Sequence, residues 1–217
     1  MQPDHSTIPT REEWLHALEE RHGKTRQEKF SQATVAICGL GGLGSNIAIS
    51  LARAGIGHLI LIDFDQVDIT NLHRQQYKAC QIGMPKSEAL SQNLREIAPY
   101  TQLTAHTVRV TEDNLKPLLQ NADVICEAFD RAEQKAMLVN GVLEAFPGKY
   151  LVSGSGMAGF GPANSIQTRR ITRRFYLCGD GTSDVQDGIG LAAPRVMLCA
   201  AHQALAVLRI LSGETGI

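Results

Sequence analysis

The sequence predicts an α/β fold in which a doubly wound, mostly parallel sheet carries a short antiparallel strand pair near its C-terminal end. Two observations predict this fold. Short apolar runs alternate with helical stretches from residue 34 to residue 153, which is the pattern of parallel strands joined by crossover helices. Beyond residue 153 the alternation stops, and two short strand-like runs with a tight link precede one last helical stretch.

Composition narrows the class of protein. The 217 residues include 21 Lys and Arg against 22 Asp and Glu, a net charge of −1, and 43% are hydrophobic. One domain with elaborations fits this length, and the near-neutral charge gives no electrostatic argument for nucleic acid or an anionic membrane as a partner. The five cysteines form no Cys-x-x-Cys pair, and Met1 to Thr10 contain no apolar signal core. We therefore expect a cytoplasmic protein without disulfide bonds or a membrane span.

The first predicted element is a short helical arm. Thr10 and Glu13 have the spacing of a capping box, and Trp14 and Leu18 lie four residues apart on one helical face. Gly23 marks the end of this helix. We expect residues 1–32 to form an N-terminal helical arm that packs on the main domain or on a neighbouring chain. Residues 33–217 are expected to form the main domain.

The main domain opens with a strand, a glycine turn, a helix and a second strand. Thr34 to Cys38 is an apolar run typical of a buried strand, and the turn Gly39-Leu-Gly-Gly-Leu-Gly44 follows it. A helical stretch over 46–54 then leads to a second apolar run over 58–62, which ends in Asp63-Phe-Asp65. This order within about 30 residues is the βαβ unit of a Rossmann-like parallel sheet.

The later elements continue the same alternation. Pro85 fits the first position of the next helix, and Pro99 ends that helix. The predicted elements, in chain order, are a helix over 85–98, a strand over 103–110, a helix over 111–119, a strand over 123–126, a helix over 131–146, a strand over 150–153, two antiparallel strands over 164–169 and 172–177, and a closing helix over 194–211.

The glycine turn and the acidic residue after the second strand indicate a nucleotide site. Glycines let backbone N–H groups approach a phosphate closely, and the N-terminus of the following helix favours an anion. Asp63 ends the second strand, where an acidic side chain commonly binds the ribose hydroxyls. At this point a nicotinamide-dependent dehydrogenase and an ATP-binding enzyme fit equally well.

Three charged residues indicate a site for ATP and not for a nicotinamide dinucleotide. Arg74 follows the second strand, Lys86 stands at the start of the next helix, and Asp130 ends the fourth strand. A dinucleotide has no evident need for this set, whereas Arg and Lys can neutralise the β- and γ-phosphates of a triphosphate and an aspartate can hold Mg²⁺. Because ligands bind at the carboxyl ends of strands in such sheets, these side chains are expected to converge.

Motifs in a fixed order carry a resemblance to a known family. They are Gly39-Leu-Gly-Gly-Leu-Gly44, Ala54-Gly-Ile-Gly57, Asp63-Phe-Asp65, Asn71-Leu-His-Arg74-Gln75, Ile82-Gly-Met-Pro-Lys86 and Phe129-Asp130. Together they resemble the ThiF/MoeB/ubiquitin-activating superfamily. The short chain, the continuation to Tyr77, and the segments Met157-Ala-Gly-Phe160 and Phe175-Tyr-Leu-Cys-Gly-Asp180 are most similar to its shorter ThiF branch, which is linked to thiamine biosynthesis.

The resemblance implies ATP-dependent adenylation of the C-terminal glycine of a ubiquitin-like sulfur carrier of ThiS type, a protein that ends in Gly-Gly. It implies ATP and Mg²⁺ as cofactors and a homodimer. Its catalytic candidates are Arg74 and Lys86, which would bind phosphates, and Asp130, which would bind Mg²⁺ or lie beside the α-phosphate. With the glycine turn, the cofactor-binding candidates are Gly39, Gly41, Gly42, Gly44, Asp63, Asp65, Asn71 and Gln75. The carrier's tail would pass near 153–161 and 179–190.

The chain departs from the family pattern at its cysteines. Many relatives carry two Cys-x-x-Cys pairs that bind zinc, whereas Cys178 stands alone here, so we expect no structural zinc. The loop over 179–190 contains no cysteine for a covalent bond to a carrier, and Cys178 is the one candidate that borders it. A small buried hydrophobic residue is the favoured interpretation of Cys178.

Other positions and functions stay open. Some relatives lend an N-terminal arginine to the partner's ATP, and here the candidates are Arg11, Arg21 and Arg26, with Arg21 favoured. The arginines over 169–174 fit a solvated hairpin face or a surface for an acidic carrier.

The alternatives to a ThiS-type substrate are a molybdopterin-synthase carrier and a tRNA threonylcarbamoyladenosine dehydratase-type substrate. A nicotinamide-dependent dehydrogenase and a non-enzymatic nucleotide-binding module are the remaining alternatives.

Overall fold

The computed structural model describes residues 8–216, apart from the side chain of Gln186. The expectation for the extreme N-terminus therefore falls largely outside the described residues. Within the described range, seven strands form one sheet in the order β3-β2-β1-β4-β5-β7-β6, and all neighbours are parallel except β6 and β7. The strands are β1 Thr34–Cys38, β2 His58–Ile62, β3 Gln102–His106, β4 Val124–Glu127, β5 Tyr150–Gly154, β6 Gln167–Arg170 and β7 Phe175–Gly179. The predicted fold class is confirmed.

Helices cover both faces of this sheet. They are α1 Arg11–His22, α2 Lys24–Gln32, α3 Gly42–Arg53, α4 Lys86–Ile97, α5 Glu112–Leu119, α6 Ala132–Ala145 and α7 Ala193–Ser212. One apolar core packs α2, α3, α4 and α7 against one face, and a smaller core packs α5 and α6 against the other. Because both faces are covered, the central strands contain consecutive buried apolar residues, as Val124 to Cys126 illustrate.

The N-terminal helices are attached to the beginning of the sheet. The predicted capping box is present: Glu13 N–H donates to Thr10 Oγ1 (3.2 Å), and Thr10 N–H donates to the Glu13 carboxylate (2.7 Å). A Cβ at Gly57 would lie 1.9 Å from the carbonyl oxygen of Ser31, and Gly57 N–H donates to the carbonyl of Phe30 (2.9 Å). The small residue before β2 therefore lets the end of α2 pack closely. A domain boundary after residue 32 stays a prediction.

The bounds of four elements differ by several residues from those predicted. The helix α3 begins at Gly42, inside the glycine turn, and not at residue 46. The strand β3 ends at His106 and not at residue 110, so residues 107–110 form an irregular segment at the edge of the sheet. Both antiparallel strands begin about three residues later than predicted, and for β6 the reason is the 3-10 turn that Ala163–Ser165 forms.

The closing helix α7 is long and apolar because it lies in the core. Among the described residues it is long and apolar enough to cross a membrane by length and composition alone. Val196, Cys199 and Val207 are buried in the larger core, where α7 packs against α3 and the strands β5 and β7. Burial in the core accounts for its apolar face.

Candidate functional site

A cavity of about 440 Å³ lies at the carboxyl ends of the parallel strands. It spans the point between β1 and β4 where the strand order reverses, which is the usual ligand position in a doubly wound sheet. Ten of the eleven residues predicted from the sequence line it: Gly39, Gly41, Gly42, Asp63, Asp65, Asn71, Arg74, Gln75, Lys86 and Asp130. The topology thus brings together side chains that are far apart in the sequence.

Gly44 is the predicted site residue that does not line the cavity. It stands in the first turn of α3, where an added Cβ would lie 1.8 Å from the carbonyl oxygen of Gly39. Gly39 itself has a φ of +90°, and its added Cβ would lie 2.8 Å from the carbonyl oxygen of Ala128. The glycines therefore let the turn pack tightly between α3 and β4, and Gly44 acts through that packing.

Asp63 holds the glycine turn in place. It is 7% exposed, and its carboxylate accepts hydrogen bonds from the backbone N–H groups of Leu40 (2.6 Å) and Asp65 (2.8 Å). Burial raises the pKa of Asp63, while these two hydrogen bonds and the charge of Lys86 act in the opposite direction. Asp63 thus connects the end of β2 to the loop after β1.

Two cations lie among the acidic side chains of the cavity. Lys86, at the first residue of α4, is nearly buried, and its Nζ lies 3.3 Å from Oδ2 of Asp65. Arg74 Nη2 donates to Oδ1 of Asn71 (3.1 Å). Burial lowers the pKa of Arg74, and the nearby charge of Asp130 opposes this shift. Arg74 and Asp130 therefore interact across the cavity although 56 residues of sequence separate them.

Amides and a tyrosine that the sequence reasoning left without a role hold the segment around Arg74. Asn46 Nδ2 donates to the carbonyl of Arg74 (3.1 Å), and Gln76 Nε2 donates to Oδ1 of Asn46 (2.7 Å). Tyr77 Oη donates to the carbonyl of Leu40 (2.7 Å), and burial raises the pKa of Tyr77. These hydrogen bonds connect the segment to α3 and to the glycine turn, so the position of Arg74 is set by the fold.

One amide of the site lacks a partner. Gln75 is 6% exposed and lines the cavity, and its Oε1 is buried without a hydrogen-bond donor among the described residues. An orphaned acceptor of this kind carries a free-energy penalty of about 1–3 kcal/mol, which a hydroxyl or N–H donor from a ligand would remove. This observation fits the predicted role of Gln75 in binding a nucleotide.

An aromatic ring and an arginine border the cavity beyond Asp63. The guanidinium carbon of Arg109 lies 3.9 Å from the centre of the Phe64 ring, which is a cation–π contact. Val108 and Val110 flank Arg109 and also line the cavity. Arg109 was expected within a strand, and the early end of β3 places it at the cavity instead.

The second arm of the cavity is formed by the glycine-rich segment after β5 and the loop after β7. Its lining residues are Gly154, Ser155, Gly156, Met157, Ala158, Ser183, Asp184, Val185 and Leu191. Arg195, at the start of α7, donates to the carbonyls of Ala158 (3.1 Å), Gly161 (2.9 Å) and Pro162 (3.0 Å) and pairs with Asp180. These contacts of Arg195 were not predicted, since the residues involved are distant from one another in the sequence.

The ion pair between Arg195 and Asp180 is shielded from solvent. Burial of Asp180 opposes its ionisation, yet hydrogen bonds from Ser183, Thr182 and Arg195 hold its pKa well below the ordinary value. Asp180 is therefore ionised at neutral pH and keeps the two loops of the second arm together.

Cys178 lies in the core, away from the cavity. It is fully buried, its Sγ lies 3.5 Å from Oγ1 of Thr168, and burial raises the pKa of its thiol to about 11. A thiol in this environment is a poor nucleophile, because the thiolate is the reactive form. The interpretation of Cys178 as a small buried hydrophobic residue agrees with this position.

The cavity fits a magnesium ion that is bound together with phosphates. Among the described residues no group of three or more His, Cys, Asp or Glu side chains could hold a metal by itself. Mg²⁺ is usually bound by one or two carboxylates, by waters and by substrate phosphates, so one exposed carboxylate is sufficient. Asp130 is exposed at the cavity, and no hydrogen bond reaches its carboxylate within residues 8–216.

The N-terminal arginines lie away from this cavity within one chain. Arg26 pairs with Glu214 (2.9 Å), and Arg11 borders a separate cavity at the beginning of the sheet. A contribution of Arg11, Arg21 or Arg26 to a partner's site stays a prediction.

Comparisons with known proteins agree with the fold. The chain is 33% identical over 192 residues to the sulfur carrier protein ThiS adenylyltransferase of Escherichia coli (strain K12), covering 86% of this chain and 75% of that protein. It is 29% identical over 212 residues to the adenylyltransferase and sulfurtransferase MOCS3 of Aedes aegypti. It covers 45% of the length of that second protein.

A solved structure has the same fold. The tRNA N6-threonylcarbamoyladenosine dehydratase TcdA of E. coli, in complex with ATP, superposes with a TM-score of 0.85 at 22% identity, covering 96% of this chain and 98% of that chain. At this identity the likeness shows the fold alone. The model of the ThiF family matches residues 16–217, which include the whole sheet and every residue of the candidate site. The chain belongs to the ThiF family.

Proposed function

We propose that this protein is an ATP-dependent adenylyltransferase that activates the C-terminal glycine carboxylate of a ubiquitin-like sulfur carrier of ThiS type. The observation that carries the proposal is the convergence of Arg74, Lys86 and Asp130 with the glycine turn in one cavity. The similarity to the E. coli ThiS adenylyltransferase, which extends over 75% of that protein, supports the choice of carrier.

The proposed reaction needs alignment and charge stabilisation more than proton transfer. A carboxylate oxygen of the carrier attacks the α-phosphorus of ATP, a new O–P bond forms, and the bond to the leaving pyrophosphate breaks. The C-terminal carboxyl group is ionised at neutral pH, so no general base is required. The enzyme has to hold two anions in line and to stabilise the charge of the pyrophosphate.

The cations of the cavity suit this task. Arg74 and Lys86 stand where the phosphates would lie beside the glycine turn, and each is held by a polar partner before a ligand arrives. Mg²⁺, when bound, would neutralise phosphate charge, and Asp130 is the residue that would hold it. Because these groups are fixed by the fold, little reorganisation is needed during the reaction.

The second arm of the cavity suits an extended Gly-Gly tail. Gly154 and Gly156 leave part of its wall without side chains, and the hydrogen bonds of Arg195 fix the segment after β5. A tail without side chains can lie against these glycines without a steric clash, whereas a globular carrier would stay outside the cavity. A homodimer, a cytoplasmic location and a role in thiamine thiazole biosynthesis complete the proposal.

A second candidate keeps the same chemistry and changes the acceptor. The fold shared with a tRNA N6-threonylcarbamoyladenosine dehydratase and the similarity to MOCS3 favour testing a nucleoside carboxylate and a molybdopterin-synthase carrier. All three acceptors present a carboxylate to ATP, so they require the same groups of the cavity.

Exchange of labelled pyrophosphate into ATP tests the proposal. We expect Mg²⁺-dependent exchange with a ThiS-type carrier and none with the same carrier after removal of its Gly-Gly tail. Exchange with another acceptor only would favour the second candidate. Exchange that persists in both Arg74→Ala and Asp130→Ala would contradict the assigned site.

A further inference from the structure

A fully buried carboxylate lies directly behind the cavity. Glu127 ends β4, and Oε1 of its carboxylate accepts hydrogen bonds from the backbone N–H of Phe129 (2.7 Å) and from Nζ of Lys135 (3.0 Å). Its Oε2 accepts from Lys135 (2.8 Å) and from the hydroxyl of Ser153. Every oxygen of this buried group therefore has partners, and they come from three different elements of the chain.

Lys135 also reaches a third acceptor. Its Nζ donates to the carbonyl oxygen of Phe129 (3.0 Å), in addition to the two oxygens of Glu127. An ammonium group has three N–H donors, and three acceptors are present. Lys135 lines the cavity, but its hydrogen-bonding capacity is directed towards the protein and not towards a ligand. The hydrogen bonds of Lys135 are therefore suited to holding neighbouring residues in place.

The supported residue is the one next to Asp130. Glu127 accepts from the N–H of Phe129, and Lys135 donates to the C=O of Phe129, so both backbone polar groups of that residue are fixed. The Asp130 side chain has no hydrogen bond of its own in the described range, so the peptide before it sets where its backbone lies, while the charge of Arg74 attracts its carboxylate. Gln203 Nε2 further anchors the carbonyl of Glu127 (3.1 Å).

Stability is a weak explanation for such a pair. A buried ion pair can often be replaced by apolar side chains of similar size without loss of stability, because the desolvation of both charges offsets their attraction. A better explanation for the presence of this ion pair is that Glu127 and Lys135 together bind both backbone polar groups of Phe129. We propose that Glu127 and Lys135 are positioning residues that hold Asp130 at the reacting end of the cavity. This inference rests on the proposed function.

The kinetic test compares two lysines that both support backbone carbonyls. Lys135→Met is expected to lower kcat for pyrophosphate exchange about 100-fold, because a displacement of about 1 Å can have that effect, with KM for ATP little changed. Lys135→Arg should restore most of the rate, because a guanidinium can donate to the same acceptors. The control is Lys149→Met, since Lys149 donates to the carbonyls of Gln120 and Ala122 away from the cavity.

A structural readout keeps the inference testable without any acceptor. The double variant Glu127→Gln/Lys135→Met leaves no unpaired buried charge. We therefore expect it to be more stable than a variant in which one charge of the pair is removed. A crystal structure should show Asp130 displaced while β4 and β5 stay in place. An unmoved Asp130, or a kcat that falls only with the folded fraction, would overturn the inference. Absence of exchange in the wild type would instead refute the proposed function, and the crystal structure would still decide the positioning role.

Discussion

At the scale of single residues, buried acidic side chains connect loops that the sequence keeps apart. Asp63 binds the glycine turn to the end of β2 through two backbone N–H groups. Asp180 joins the loop after β7 to Arg195, and its partners keep it ionised. Each carboxylate thereby fixes one wall of the cavity, so substitutions at these positions should affect both stability and ligand binding.

The substitution Asp180→Asn should destabilise the protein by about 3 kcal/mol near neutral pH, because it leaves the charge of Arg195 buried without its partner. The folded-state pKa of Asp180 is held below 3.8, so its contribution is fully present above the unfolded-state pKa and is lost as pH falls through the folded-state pKa. Urea unfolding of both proteins from pH 7 down to pH 3 measures this. The difference between them should shrink below about pH 4, and a difference that grows in acid would contradict the assignment.

Residue types and order were enough to predict much of the site. Asp63, Arg74, Lys86 and Asp130 follow strands or begin helices, and the carboxyl ends of parallel strands necessarily meet at one edge. The support of these residues was not predictable. The sequence pattern predicts only that Glu127 ends an apolar strand. Its pairing with Lys135 depends on where α6 begins and on how α6 packs against the sheet.

At the scale of elements, the glycine turn decides how α3 meets the sheet. Its glycines are needed for different reasons: Gly39 for its positive φ and Gly44 for the contact of two backbones. The early start of α3 follows from this packing, since the turn is already helical at Gly42. A sequence pattern gives the glycines, but it does not show which of them face a ligand.

The substitution Gly44→Ala should destabilise the protein by about 1–3 kcal/mol, because the new methyl group would overlap the carbonyl oxygen of Gly39 and displace the turn. Its affinity for ATP should fall as well, although Gly44 does not line the cavity. Thermal unfolding and calorimetric titration with ATP measure the two effects. Gly148→Ala is the matched control, because its added Cβ has no neighbour within 4 Å. Unchanged ATP affinity in Gly44→Ala would contradict this account of the turn.

At the scale of the whole molecule, the two ends of the strands in the doubly wound sheet have different roles. The cavity lies at the carboxyl ends of the strands, and the N-terminal helices lie at their beginning. The doubly wound class of the sheet could be predicted from the alternation of elements, while the bounds of β3, β6 and β7 could not. The residues of β3 and β6 are exposed or half-buried, so the apolar pattern that marks the central strands is weak there.

The cysteines give a test of this packing in the whole chain. Cys80 is exposed, whereas Cys38, Cys126, Cys178 and Cys199 are buried, and all five are free thiols. Burial raises the pKa of each of the four buried thiols, which further slows their reaction. A thiol reagent should modify Cys80 rapidly in the folded protein and the others only after unfolding. Rapid modification of Cys178 in the native state would contradict the assigned core and reopen its role as a nucleophile.

Detection of the proposed acyl-adenylate on the carrier is the most direct test of the proposed function. The purified protein is mixed with a ThiS-type carrier, ATP and Mg²⁺, the reaction is stopped in acid, and the intact mass of the carrier is determined. The account predicts a gain of one AMP on the carrier, which disappears when the Gly-Gly tail is removed or when Arg74→Ala replaces the wild type. A carrier that keeps its original mass, under conditions in which the protein binds ATP, would contradict the central claim.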